Sequence, residues 1–214
     1  MLCLLYLTAD TNKVERQPKI QKVEDPKRVE ELLMGTGLAP HTNQHSSSRV
    51  ALGLGGNLGT PAQSFRRAVS ALEKAGMRDI VTSPLYQTAP VDCVANTPPF
   101  TNAALTGTWP KTPKELLAAC QDIEQCLGRP RSHSSRESRI VDLDILLFGD
   151  QVMQRPNLIV PHPRLAERLF ALAPLADIAP TYPVPGTNKT VKELYDAFAG
   201  TAEGSEVQRF QDTW

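Results

Sequence analysis

No run of apolar residues in this 214-residue chain approaches the ~20 needed to cross a bilayer, so the sequence reads as having no membrane-spanning helix. An excess of either charge is also missing. The 23 Lys and Arg are matched by 23 Asp and Glu, which removes the basic field that draws a protein to nucleic acid or an anionic membrane. Any anion site must therefore be local. The cysteines Cys3, Cys93, Cys120 and Cys126 form no C-x-x-C pair and no zinc spacing, and a domain of this size needs no disulfides, so reduced thiols are expected. There is no Gly-x-x-x-x-Gly-Lys-Ser/Thr run, which excludes a P-loop. Gly53-Leu54-Gly55-Gly56-Asn57-Leu58-Gly59 lacks the parallel βαβ context of a dinucleotide site and reads as a tight turn. The apolar start, Met1 to Leu7, has no basic segment before it, and Asp10, Glu15, Glu24, Asp25, Glu30 and Glu31 make the following stretch acidic as well as basic. Neither a secretory signal nor a mitochondrial transit peptide is expected, and the protein reads as cytoplasmic.

What the chain does contain is organised around Ile140-Val141-Asp142-Leu143-Asp144-Ile145-Leu146-Leu147-Phe148. In a β-strand, side chains alternate between faces, so Val141, Leu143, Ile145 and Leu147 should line an apolar face and Asp142, Asp144, Leu146 and Phe148 the other. Two carboxylates then project side by side. On a strand this apolar they repel unless something positive lies between them, and a divalent cation is the simplest such partner. Taken alone, the pair reads equally well as a solvated strand end.

Residues 1–48 read as an N-terminal extension: a short helix near 25–33, then a Gly, Pro, His and Ser-rich linker. From Arg49, Val50, Leu52 and Leu54 mark a first strand, and Thr60-Pro61 opens a helix carrying Phe65, Ala68, Val69 and Leu72. Ile80 to Tyr86 and Phe100 to Trp109 read as two further strands, separated by a long Pro-containing loop. Thr112-Pro113-Lys114-Glu115 is a capping box for a second helix with Leu116, Leu117, Cys120, Ile123 and Leu127 on its apolar stripe, and Cys120 is expected to be a core residue. The aspartate strand follows. The order βαββαβ predicts an α+β, ferredoxin-like antiparallel sheet with both helices on one face, C-terminal additions, and Asp142 and Asp144 on the open face. The main domain is expected over 49–200, including a helix opened by the capping box Thr190-Val191-Lys192-Glu193, with a frayed polar tail over 201–214.

Arg129, Arg131, Arg136 and Arg139 fall within eleven residues immediately before the aspartate strand. Their planar, permanently charged forks suit phosphate oxygens. Carboxylates to hold a metal and arginines to hold phosphates are what phosphoryl transfer requires, since that reaction is catalysed mainly by positioning and charge neutralisation. Oxygen ligands point to Mg²⁺.

Several motifs in one order resemble the 6-hydroxymethyl-7,8-dihydropterin pyrophosphokinase family: Tyr86-x-Thr88-x-Pro90, Phe100-Thr101-Asn102, Ile123-Glu124-x-x-Leu127-Gly128-Arg129-x-Arg131, Arg139-x-x-Asp142-Leu143-Asp144, Val160-Pro161-His162-Pro163 and Arg168-x-Phe170. The resemblance runs from about Arg49 to Pro185. It implies transfer of the β,γ-diphosphate of ATP to the hydroxymethyl group of the dihydropterin, with release of AMP. It further implies two Mg²⁺ ions on Asp142 and Asp144, nucleotide contacts from Glu124, Arg129, Arg131, Arg139, His162 and Arg168, and catalytic roles for Arg129 and Arg139. Thr88, Pro90 and Asn102 would read the pterin edge, and Phe100 and Phe170 would sandwich its ring. The implied partners are these two small molecules, and the enzyme is expected to be a monomer.

The chain departs from the family pattern at three places. Gly56 stands where Ser is usual, Ser135-Arg136-Glu137-Ser138-Arg139 replaces an Arg-Trp-Gly-Pro-Arg run, and Asp92 replaces a Gly. Their expected effect falls on loop closure and turnover. Two other classes fit parts of the pattern. One is a two-metal nucleotidyl transferase or cyclase on a ferredoxin-like sheet, which would need a further acidic ligand; the other is a non-catalytic binding module, which would not need the aspartates and arginines together.

Overall fold

The computed structural model describes residues 47–89, 97–128, 138–199 and 207–214. The expected helix near 25–33, and Pro90, Arg129, Arg131 and Arg136, lie outside these residues. Strands β1 (Ser48–Gly56), β2 (Arg78–Thr82), β3 (Leu85–Thr88), β4 (Phe100–Trp109) and β5 (Asp142–Phe148) are joined by helices α1 (Pro61–Ala75) and α2 (Pro113–Cys126). A hairpin β6 (Met153–Arg155) and β7 (Leu158–Val160) follows, then α3 (Leu169–Ile178), α4 (Val191–Ala199) and β8 (Val207–Gln211). The sheet runs β5-β1-β4-β3-β8, with β2 also on β4. Every pairing is antiparallel. This is the expected ferredoxin-like order, with β8 added at one edge.

Two apolar layers sandwich the sheet. Phe65, Ala68 and Leu72 of α1 and Leu116, Cys120 and Ile123 of α2 pack with Val50, Leu52, Leu54, Leu143, Ile145 and Phe148. The capping box of α2 forms as read: the Thr112 hydroxyl accepts from the Glu115 amide, and the Glu115 carboxylate accepts from the Thr112 amide. Cys120 is buried among these residues, and its thiol is pushed up to about 12 by burial and then by the charges of Glu124 and Asp144, so it stays protonated. On the opposite side Ala51, Ala104, Leu146 and Leu147 pack beneath Leu172 and Leu175 of α3 and Val191 and Leu194 of α4. The second face is thus covered by this layer where the sequence predicted an open one, while Asp142 and Asp144 lie outside it.

A β-bulge makes that division. The β1–β5 register steps from Leu52↔Ile145 to Ala51↔Leu147, leaving Leu146 as an extra residue. Leu146 and Leu147 both turn toward α3, and Phe148 returns to the α1/α2 layer. Strict alternation had assigned Leu147 and Phe148 to the opposite faces. Asp142 and Asp144 precede the bulge and keep their predicted side.

Two further expectations are corrected. The segment 80–86 is not one strand but the junction of β2 and β3, broken at Ser83-Pro84. Pro84 has no N–H to donate, and the buried Ser83 hydroxyl fills in by accepting from the Ala104 amide at 2.9 Å and donating to Pro84 O at 2.7 Å. The C-terminal end is not frayed over 207–214: β8 pairs with β3 from Val207↔Thr88 to Gln211↔Leu85. Beyond it, the Trp214 indole donates to Ser83 O at 2.7 Å and meets the Phe65 ring edge-on at 5.6 Å. Trp214→Ala should cost about 2 kcal/mol, from the aromatic contact and the lost hydrogen bond together. A urea midpoint unchanged from the parent protein would show that β8 closes the sheet without help from this anchor.

Candidate functional site

Register assembles the site. Asp142 of β5 lies opposite Gly55 of β1, which lies opposite Asn102 of β4, which lies opposite Tyr86 of β3, so the four share one row on one face. Asp144, Gly53 and Ala104 form the next row. The two glycines keep the floor low between these side chains. A Cβ on Gly55 would stand 3.6 Å from Asn102 Oδ1 and 4.0 Å from Asp142 Cβ.

Each aspartate meets an arginine. Arg139 donates to Asp142 at 2.6 Å, with both side chains largely buried, and Arg168 approaches Asp144 at 3.5 Å. Each guanidinium also lies over an aromatic ring, Arg139 over Phe100 at 5.7 Å and Arg168 over Phe170 at 5.5 Å. On the β3 side, the buried Asn102 amide donates to Thr88 Oγ1 at 2.9 Å, and Thr88 pairs across the strands with Phe100. The expected pterin readers therefore adjoin the acidic pair along the sheet. Phe170 reaches the site from the first turn of α3 and is exposed.

His162 is held by its amide, which donates to Leu146 O at 2.9 Å, beside the bulge. Burial first, then the charges of Arg168 and Arg164, push its pKa down to about 4 against the opposing effect of Asp142. The neutral ring accepts from the Arg164 amide through Nδ1 at 3.2 Å, which leaves its proton on Nε2, 3.5 Å from Arg168. An unfolded chain takes up this proton near pH 6.5 and the folded one near 4. The associated stability is therefore complete above pH 6.5 and lost as pH falls from there to 4. It should amount to roughly 1–2 kcal/mol once partial exposure is allowed for. His162→Gln should flatten that part of the profile, and urea midpoints at pH 7 and 4.5 will read it.

Glu124 is placed differently from its expected neighbours. It is buried on α2, and its carboxylate accepts from the Leu143 amide at 2.6 Å, fixing the backbone of β5 between the two aspartates.

Two contributors escaped the sequence reading. Asn57, a member of the expected tight turn, is buried, and its side chain accepts from the Arg139 amide at 2.8 Å and donates to Ser138 Oγ at 3.1 Å and Pro98 O at 3.4 Å. Its own amide donates to Arg139 O at 2.9 Å. One amide side chain thereby ties the end of β1 to the segments leading into β4 and β5. Next to it, Gly56 allows a close approach: a Cβ there would lie 2.5 Å from Ile140 O. Tyr86 is the second. Its hydroxyl donates to Asp177 at 2.7 Å, pinning the far end of α3, and burial followed by the Asp177 contact holds the phenol well above its ordinary pKa. Only the Tyr motif position signalled it.

Among the described residues no group of three or more His, Cys, Asp or Glu side chains gathers into a metal cage. Two carboxylates on alternate residues of one strand, over a glycine floor, suit a hard ion that keeps waters and takes its other ligands from phosphates. Asp142 and Asp144 could hold Mg²⁺ in that way.

Comparison with known proteins bears on the whole arrangement. The model of the family 7,8-dihydro-6-hydroxymethylpterin-pyrophosphokinase (HPPK) matches residues 51–180. The 2-amino-4-hydroxy-6-hydroxymethyldihydropteridine pyrophosphokinase of Pseudomonas aeruginosa is 40% identical over 138 residues, 64% of this chain and 84% of that protein. The mitochondrial folate synthesis bifunctional protein of Arabidopsis thaliana is 39% identical over 135 residues, 63% of this chain, which spans only 24% of that longer relative. The solved structure of Plasmodium falciparum HPPK-DHPS, wild type with pterin and p-hydroxybenzoate, has a TM-score of 0.60 at 16% identity, covering 78% of this chain and 47% of the other. That likeness supports the fold. The family match takes in both aspartates, both paired arginines and the hydrogen-bonded Asn102 and Thr88, and the chain belongs to the 7,8-dihydro-6-hydroxymethylpterin-pyrophosphokinase family.

Proposed function

We propose that this chain transfers the β,γ-diphosphate of ATP to the hydroxymethyl oxygen of 6-hydroxymethyl-7,8-dihydropterin. A new bond forms between that oxygen and the β-phosphorus, the α,β-bridging P–O bond breaks, AMP leaves and the hydroxyl proton is released. The observation that carries the reading is the convergence of Asp142 and Asp144 with Arg139 and Arg168, on the same sheet face as Asn102 and Thr88. Mg²⁺ held by the aspartates, two ions in the full reading, would supply charge neutralisation along the triphosphate.

The chain's own groups do the rest. Arg139 and Arg168 answer phosphate charge, together with Arg129 and Arg131 earlier in the chain. Neutral His162 offers its Nε2 proton to an oxygen of the nucleotide. Asn102, held by Thr88, presents its amide to the heterocycle's edge, a role the family likeness extends to Pro90, and Phe100 and Phe170 supply stacking faces. Glu124 contacts the nucleotide and also fixes β5 through the Leu143 amide. No described helix is long and apolar enough to cross a membrane. The same reading has the protein act as a cytoplasmic monomer on these small molecules, with no nucleic-acid partner, in keeping with its balanced charge.

The test is direct: incubation with ATP, Mg²⁺ and 6-hydroxymethyl-7,8-dihydropterin should release AMP only when the pterin is present. ADP as the product, or AMP independent of the pterin, overturns the reading.

A further inference from the structure

The carboxylates assigned to Mg²⁺ are the ones engaged by arginine. Asp142 is bound to Arg139 at 2.6 Å in a largely buried pair, and Asp144 faces Arg168 at 3.5 Å. Arg139 is moreover fixed by its backbone, since its amide and carbonyl are both bonded to Asn57. Its guanidinium therefore works from an anchored base, between Asp142 on one side and the Phe100 ring on the other. A guanidinium and a divalent cation cannot share a carboxylate without strong repulsion, because both are positive and a partly buried site screens them poorly. Metal alone at Asp142 would displace Arg139 from this carboxylate and set its positive charge beside a dication. When a polyphosphate arrives with the metal, Arg139 exchanges its carboxylate for a phosphate oxygen and Asp142 exchanges its guanidinium for the metal, so every charge keeps a partner.

Building on the pyrophosphokinase reading, we propose that Arg139 couples metal binding to nucleotide binding: it withholds Asp142 from free divalent cation and gives it up when phosphate draws the guanidinium away. The site is then selective for the metal–nucleotide complex over the metal by itself. Coupling of this kind is reciprocal, so the same pair makes nucleotide affinity depend on the metal. Arg168 plays the lesser part, because its longer contact to Asp144 is more open to water.

The experiment is a Mn²⁺ titration of the full chain without nucleotide, read by the loss of the free-ion paramagnetic resonance signal. Arg139→Gln should bind Mn²⁺ on the order of tenfold more tightly than the parent, the scale of one charge-assisted hydrogen bond removed. Adding Asp142→Asn should abolish the gain, which locates it. Arg139→Lys, which keeps the charge but loses the fork, should gain less than Arg139→Gln. In parallel, Mg²⁺ should raise the affinity for ATP by a smaller factor in Arg139→Gln than in the parent. Equal or weaker Mn²⁺ binding by Arg139→Gln, or a gain that survives Asp142→Asn, overturns the coupling while leaving the pyrophosphokinase reading intact. Failure of the parent chain to bind ATP with Mg²⁺ overturns both. Far-UV circular dichroism of each variant separates a binding change from unfolding.

Discussion

Asp144→Ala should reduce AMP release about 1,000-fold or more while leaving the unfolding midpoint close to that of the parent chain. The effect on turnover follows from removing one of two carboxylates offered to the metal, a contribution worth several kcal/mol in reactions of this class. The small effect on stability follows from position. Asp144 lies outside the apolar layers, its side chain is 41% exposed, and its contact to Arg168 is long at 3.5 Å and open to water. Steady-state AMP release and a thermal melt decide the matter together. A variant within about tenfold of the parent would remove Asp144 from the metal site. A variant that failed to fold would be explained by Asp144→Asn, which keeps the side-chain volume and should show the same loss of turnover.

Asn57→Ala should cost both stability and activity. The substitution strands the Arg139 amide, whose acceptor is Asn57 Oδ1, and releases Ser138 and Pro98. A buried unsatisfied donor costs about 1–3 kcal/mol. Loss of the tie should also let Arg139 and the start of β5 shift, and a displacement of about 1 Å at a positioned group costs on the order of 100-fold in rate. Asn57→Asp separates the two contributions, because it keeps an acceptor for Arg139 while losing the donor to Ser138 and Pro98. It should retain more stability than Asn57→Ala. Equal kcat/KM for Asn57→Ala and the parent would show that Asn57 braces the fold without placing the site.

How much of this was open to a reader of the sequence depends on how local each cause is. The aspartate pair was legible because a strand of near-continuous apolar residues makes two carboxylates conspicuous, and period-2 alternation needs only neighbours. The capping box of α2 and the apolar stripe of Cys120 were legible for the same reason. Asn57 was not, since an amide after glycines is what any turn contains, and its three partners lie 41, 81 and 82 residues away. Strand β8 was missed because an exposed edge strand carries little apolar signal; Val207 to Gln211 is held mainly by backbone pairing to β3. The break at Ser83-Pro84 was visible as a proline within an apolar run, yet the serine that repairs it is a tertiary fact. Glu124 shows a further limit: no local pattern announced that its carboxylate accepts from the Leu143 amide, 19 residues on.

The extra residue at Leu146 also changes what can be moved between proteins. Because it shifts the phase of β5 partway along, the strand's first half answers to the aspartate row and its second half to the helical roof, and the two halves tolerate change separately. On a regular strand the acidic pair and Leu146 would keep their side, but Leu147 would turn toward the α1/α2 layer and Phe148 toward α3. Deleting Leu146 would restore even alternation with Leu147 still facing α3 and Phe148 the α1/α2 layer, so the roof would lose one of its two leucines while the aspartates stay in register against Gly55 and Gly53.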